Sequence, residues 1–279
     1  MSSAFKFRQL DLNSISALNS NQLWFSDSYN LNDPFEFYVT EKQYDDNERI
    51  THNVKEYKKS LVSQGETAHK AEDIVLALYQ RDPKEANSFI EKELERLTNQ
   101  SKSYLRSLNI CSMSLTNIGQ EETILRNMLM WGHYANGFTG FCIEFDTQTL
   151  IDSIKCLNDS SIGNTTVKYR SRPQQVDRYV GLEQYSVDIL KSLTFKHTQW
   201  KYEQELRLVS SKKGLHKYSP ESIKSIYIGG NMSKENRSLL LSIIGSLDVK
   251  VNIEDITVAQ NKADFALVRN KLKKRSDFF

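Results

Sequence analysis

The sequence predicts an α+β fold, on three observations. Short segments that alternate with period two, or that are bulky and β-prone, occur toward both ends of the chain: Phe5 to Leu10, Leu23 to Phe25, Phe138 to Phe145 and Ile223 to Ile228. Between the first two and the rest, residues 41 to 107 are dense in charge. They contain only Gly65 and Pro83 as breakers, and they set Ile74 and Leu78, then Ile90, Leu94 and Leu97, at helical spacing. Finally, 11 glycines and 4 prolines in 279 residues fall well below the average usage of about 12%. Most of the chain is therefore expected to be regular structure.

The elements follow in order. Phe5 to Leu10 (FKFRQL) reads as a strand, and Leu12, Ile15 and Leu18 as a short helix. Leu23-Trp24-Phe25 is a second strand. It is stopped by a polar tract from Ser26 to Pro34, where Pro34 biases Asp33 away from helix, so a shaped loop is expected there. Residues 41 to 107 read as two or three helices inserted between strands, with solvated charged faces. Leu108 to Leu115 is the next strand, and Glu121 to Tyr134 a helix closed by Gly137. In Phe138 to Phe145, Phe141, Ile143 and Phe145 share one face, and Cys142, Glu144 and Asp146 the other. A helix at 147 to 155, a strand at Thr166 to Tyr169 and a helix at 176 to 195 come next. A strand from Trp200 to Ser210, the strand Ile223 to Ile228, a Gly229-Gly230 turn, a helix capped by Ser233 and a strand Val249 to Ile253 follow. The last element is expected to be a helix ending in Arg269, Lys271, Lys273, Lys274 and Arg275.

Composition limits the functional classes. With 37 Lys and Arg against 35 Asp and Glu, the formal charge is only +2, so a nucleic-acid partner must be held by a local patch. Residues 41 to 100 carry 13 acids against 10 Lys and Arg, which leaves the remainder more basic. Hydrophobic and charged fractions of 39% and 26% exclude wholesale disorder. No run approaches the roughly 18 apolar residues of a membrane helix. The N-terminus has no apolar segment of secretory type, so a cytoplasmic protein with no membrane partner is expected. Cys111, Cys142 and Cys156 match no zinc spacing and read as reduced thiols, and the five histidines are scattered, so no metal site is expected.

The most informative segment is Trp200 to Val209 (WKYEQELRLV). As one strand it turns Trp200, Tyr202, Leu206 and Leu208 toward a core and sets Glu203, Glu205 and Arg207 together on the opposite face. Those charges either pair with one another on an exposed strand or line a cleft, where a carboxylate stabilises positive charge developing at a sugar carbon. His133-Tyr134 beside Trp131 reads as a hydrogen-bonded corner or part of a site, and Asn32-Asp33-Pro34 as an Asx-type turn or a site loop. Gly229-Gly230 lacks the companions of a phosphate loop and reads as a plain turn.

Three blocks resemble an uncharacterised prokaryotic domain family: Leu23 to Phe37 (LWFSDSYNLNDPFEF), Met130 to Phe145 (MWGHYANGFTGFCIEF) and Trp200 to Leu208 (WKYEQELRL). More distantly, the order of elements resembles the ADP-ribosyltransferase fold of DarT-type toxins, which modify DNA bases with NAD. Trp24-Phe25-Ser26 with Asn32 to Phe35 is similar to their aromatic strand. Gln204 to Val209 is similar to their late catalytic strand.

This resemblance implies one ADP-ribosyltransferase-like domain over 1–279, a split, strongly bent sheet around an NAD cleft, and a helical insertion at about 41–107. It places Glu205 as the catalytic carboxylate and Glu203 nearer the acceptor. Ser26 and Tyr134, with His133, would lie at the nicotinamide end, Arg8 at the pyrophosphate, and Asn32 and Asp33 at the border of the NAD site. The implied activity is that of a toxin or phage-defence effector that consumes NAD and modifies RNA or DNA, with an antitoxin or chaperone as a further partner. Lys6 or Arg8 stands where those toxins have His or Thr, and the aromatic strand has no Arg before Pro34.

The Glu203-x-Glu205 spacing also suits transfer to arginine on a protein. Two other classes compete. One is a Mg²⁺-dependent nuclease using Asp33, Glu203 and Glu205, in which Arg207 would be a poor general base. The other is a non-catalytic nucleic-acid-binding module gripping through the basic C-terminal run.

Overall fold

The computed structural model describes residues 2–27, 31–117, 119–259 and 266–271. The chain forms two compact units. One comprises Met1–Leu31, Leu108–Val167 and Thr198–Phe279, and the other Asn32–Ser107 and Lys168–His197. The class is α+β.

In chain order the elements are β1 (Ser2–Arg8), α1 (Leu12–Asn19), β2 (Gln22–Asp27), β3 (Val39–Glu41), α2 (Asp46–Ser63), α3 (Ala68–Arg81) and α4 (Pro83–Ser107). Next come β4 (Asn109–Asn117), α5 (Glu121–Leu125), α6 (Met128–Tyr134), β5 (Phe141–Asp146), α7 (Thr147–Leu157), β6 (Ile162–Thr166), β7 (Lys168–Arg170), β8 (Gln174–Val176), α8 (Leu182–Lys191) and β9 (Phe195–His197). The chain continues with β10 (Glu205–Ser210), β11 (Gly214–Lys217), β12 (Ile223–Gly229), α9 (Lys234–Gly245), β13 (Asn252–Val258) and β14 (Leu267–Lys271).

The first unit is built on a large mixed sheet in the order β11-β2-β4-β1-β5-β12-β13-β14, with β10 also paired to β4 and β6 to β10. The alternation in β5 explains how both faces are covered. Phe141, Ile143 and Phe145 enter a core with Leu150, Ile154, Leu206, Leu208 and Leu240, while Cys142 joins Phe5, Phe7, Trp131 and Tyr227 on the other side. Glu144, on that second side, is buried and tied by Ser3, Tyr227 and Lys224.

The sheet forks at β4. On one edge, residues 114 to 117 of β4 pair with β1 and residues 109 and 110 pair with β2; the other edge pairs with β10. Lys6 Nζ donates to the Ser112 carbonyl at 2.5 Å, between the two registers, so a side-chain donor serves the strand where the neighbouring backbones separate.

Local chemistry corrects several expected boundaries. The helix expected over Glu121 to Tyr134 breaks into α5 and α6. The Asn127 side chain accepts from the Leu129 amide and starts a new helix. β5 begins at Phe141, because Asn136, Gly137 and Phe138 take left-handed backbone. Gly229 and Gly230 do form a turn, but for close packing: a Cβ on Gly229 would lie 2.2 Å from the Phe138 carbonyl oxygen. The strand expected from Thr166 to Tyr169 is divided between β6 and β7, the helix expected at 176 to 195 is only α8, and β13 starts at Asn252.

The final helix is also corrected. Leu267–Lys271 is a strand antiparallel to β13, and Arg269 is held by Glu254 and Glu122. Lys273, Lys274 and Arg275 lie outside the described residues.

In the second unit α2, α3 and α4 pack through Tyr57, Val75, Ile90 and Leu94. α2 opens with an Asp45/Glu48 capping box and α3 with a Thr67 cap, so local signals suffice to start them. The returning segment adds α8 and two small parallel ladders, β3 with β8 and β7 with β9. Glu41 joins these pieces, accepting from Lys102, Arg178 and Tyr185.

Candidate functional site

The Trp200 to Ser210 segment is not one strand. Thr198–Glu203 is a 3₁₀ turn, Gln204 sits at φ +46°, and the strand begins at Glu205. The left-handed residue ends the alternation, so Glu203 belongs to the turn and not to the strand that carries Glu205 and Arg207. That face is not exposed either. β10 lies between β4 and β6, and Glu205 and Arg207 are 3% and 0% exposed. Arg207 Nε donates to Glu205 Oε1 at 2.9 Å and Nη2 to Oε2 at 3.3 Å. Burying either charge alone would be costly, and the bidentate pair offsets that cost.

Glu205 sits opposite Ser114, the residue of β4 that also takes the last pairing of β1, with Phe5. Both strands therefore bring their side chains to one place, beside α6 and the 3₁₀ turn. There the Tyr134 hydroxyl donates to Glu203, which is buried. Tyr202 is hydrogen-bonded to His133 Nδ1 at 2.8 Å, and the Asn127 amide donates to the Tyr202 carbonyl at 3.3 Å, fastening the 3₁₀ turn to α6. Burial, with the Glu203 charge added, pushes the Tyr202 hydroxyl up to about 12, so it stays a donor at neutral pH. Burial pushes the Lys6 ammonium below its ordinary value, with Arg8 adding to the effect and the Glu205 and Glu203 charges opposing it. The charges of Glu203 and Glu205 thus both reach Lys6.

The structure brings together Glu203, Glu205, His133 and Tyr134, which the sequence singled out. Arg8 ends β1, and its charge acts on Lys6, Asp11 and Tyr218. Ser26 lies in β2 opposite Ile110, at the other arm of the fork. Asn32 and Asp33 belong to the second unit. Asp33 is buried, and its carboxylate accepts from the Phe35 amide at 2.9 Å, as an Asx turn does.

Three residues were missed. Lys6 had a faint signal, a lysine between Phe5 and Phe7 in a strand. Tyr202 does pack against a core, the cluster of Phe5, Phe7 and Trp131, as its spacing predicts, but its hydrogen bond to His133 has no signal in the period. Tyr218, whose buried hydroxyl lacks a hydrogen-bond partner, had no signal in the sequence. Among the described residues no group of three or more His, Cys, Asp or Glu side chains is placed to hold a metal ion.

Fold and site together define an α+β protein with a forked sheet and a buried, cation-paired carboxylate cluster at the fork. A family model described as a protein of unknown function (DUF2971) matches residues 130–208. That span covers two of the three sequence blocks, Met130 to Phe145 and Trp200 to Leu208, and contains His133, Tyr134, Glu203 and Glu205. No curated protein and no solved structure matches the chain. None of these comparisons bears on ADP-ribosylation. Among the described residues, no helix is long and apolar enough to cross a membrane.

Proposed function

We propose that this chain is an NAD-consuming ADP-ribosyltransferase, a toxin or defence effector that transfers ADP-ribose to nucleic acid and releases nicotinamide. The observation that carries this reading is the carboxylate pair Glu203 and Glu205, both buried at the fork of the sheet and held by different partners. Glu205 is paired with Arg207, and Glu203 accepts from Tyr134.

In the reaction the bond between ribose C1′ and the nicotinamide nitrogen breaks, and nicotinamide leaves with the electron pair. Positive charge develops at C1′, and an acceptor atom bonds there as it gives up a proton. A fixed anion in a water-poor place stabilises that charge without reorganising. Glu205 has this role in the reading, and Glu203 sits nearer the acceptor. Tyr134 and His133 would bound the nicotinamide end.

A second reading is favoured by the same ion pair. A glutamate held bidentately by a wholly buried arginine is also what a structural anchor looks like. Incubating the protein with NAD labelled in the adenylate, in a mixed lysate, separates the two. Nicotinamide release with label on RNA or DNA supports transfer. Label resistant to nuclease and removed by protease moves the acceptor to protein, with Glu203 directing arginine. No nicotinamide release leaves Glu205 as an anchor.

A further inference from the structure

The antiparallel pair of β2 and β11 turns an unusual face outward. Its inner face is core, with Leu23, Phe25 and His216 buried and the Phe25 and His216 rings 4.2 Å apart. By alternation Gln22, Trp24 and Ser26 of β2 and Leu215 and Lys217 of β11 share the other face, and Trp24 lies directly opposite Leu215. Trp24 and Leu215 are 44% and 48% exposed. The turn into β11 and the strand itself, residues 211 to 217, carry Lys212, Lys213 and Lys217 and no acid; the β2 side contributes only Asp27, which Lys213 pairs.

We infer that this outer face, Trp24 and Leu215 with Lys217 beside them and Lys212 and Lys213 in the turn that leads into β11, is a stacking platform for single-stranded nucleic acid. A large aromatic ring flanked by cations suits a base over the indole and phosphates against the ammonium groups. The free edge of β11 argues against an added peptide strand. Asn158 donates to the Lys217 carbonyl and accepts from the Lys217 amide, at 2.8 and 2.9 Å, so the free side of β11 is already capped there. What remains on offer is the side-chain face, and its charge selects a polyanion.

This inference deepens the nucleic-acid half of the proposed function. It rests on that reading only for the acceptor class, and its test uses no NAD, so the two fail separately. A fluorescein-labelled oligothymidylate of 20 nucleotides is titrated with the full chain at about 50 mM salt and again at about 200 mM. Binding should weaken with salt, and the Lys212→Gln/Lys217→Gln variant should reduce the slope of log affinity against log salt by one to two. Trp24→Ala should weaken binding by at least about fivefold while Trp24→Phe largely retains it, because the phenyl ring still stacks. Matching melting temperatures of the variants exclude unfolding as the cause. Equal affinity of wild type and Trp24→Ala, tighter binding of the corresponding duplex, or no binding by the wild type would each overturn the platform.

Discussion

Arg207, with no exposed surface, holds both oxygens of Glu205 from two positions along the same strand, at 2.9 and 3.3 Å. The i, i+2 spacing in a strand makes this possible, and the ladders to β4 and β6 remove the water that would otherwise screen the pair. Each charge therefore lowers the cost of burying the other.

Removing only one partner should be expensive. Glu205→Gln removes the carboxylate charge that Arg207 Nε and Nη2 hold and should cost about 3 kcal/mol of stability. Glu205→Gln with Arg207→Met should cost less than the sum of the two single changes, by about 1 kcal/mol or more. Urea unfolding of all four proteins measures this, and additive losses would show that the two charges are not coupled. In the proposed enzyme both Glu205→Gln variants should also lose at least about tenfold in nicotinamide release, equal to about 1.4 kcal/mol of transition-state stabilisation.

Tyr134→Phe removes only the hydroxyl that donates to Glu203. Stability should fall by about 1 kcal/mol, the ordinary value of one hydrogen bond. If Glu203 positions the acceptor, transfer of label should fall more than NAD hydrolysis. Equal loss of both places Tyr134 at the nicotinamide end instead, and unchanged rates place it outside the site.

Glu144 should shape the acid limb of stability. Burial pushes its carboxyl up, but hydrogen bonds from Lys224, Tyr227 and Ser3, with the Lys224 charge, outweigh this and hold it below the ordinary value of 4.5. A folded value below the unfolded one gives stability that is present above the unfolded value and lost as pH falls through the folded one. Wild type should therefore exceed Glu144→Gln most above about pH 5, with the gap closing in acid. Thermal melts from pH 2 to 7 check this, and a gap that widens on acidification would contradict the assignment.

Gly229→Ala tests the close approach at the end of β12. Its Cβ would fall 2.2 Å from the Phe138 carbonyl oxygen and 3.0 Å from that of Gly140, both backbone atoms. A loss of about 2 kcal/mol or more is expected, whereas Gly163→Ala, where a Cβ meets nothing within 4 Å, controls for the substitution itself. Similar denaturation midpoints for the two variants would show that the strand ends yield easily.

Much of the fold is legible in the sequence because it is written in local periods. The alternation of Phe141, Ile143 and Phe145 does face the core, Ser233 does cap α9, and the charged stretch from 41 to 107 forms α2, α3 and α4. The errors lie where one residue overrides a period: Asn127 restarting a helix, Gln204 turning left-handed, and the last segment joining β13 as a strand. Such choices depend on neighbours distant in sequence, as when the Asn127 amide meets the Tyr202 carbonyl.

For the candidate site the division is sharper. By itself the sequence determined the chemical groups, two carboxylates two positions apart and an arginine two beyond the second, together with the α+β class. Only the tertiary structure decided that Glu205 and Arg207 are buried as a pair, that Glu203 turns away to Tyr134, that Arg269 is engaged by Glu254 and Glu122, and that the sheet forks at β4. Periodicity tells which residues share a face but not what covers that face, and the energy of a charge depends on what covers it.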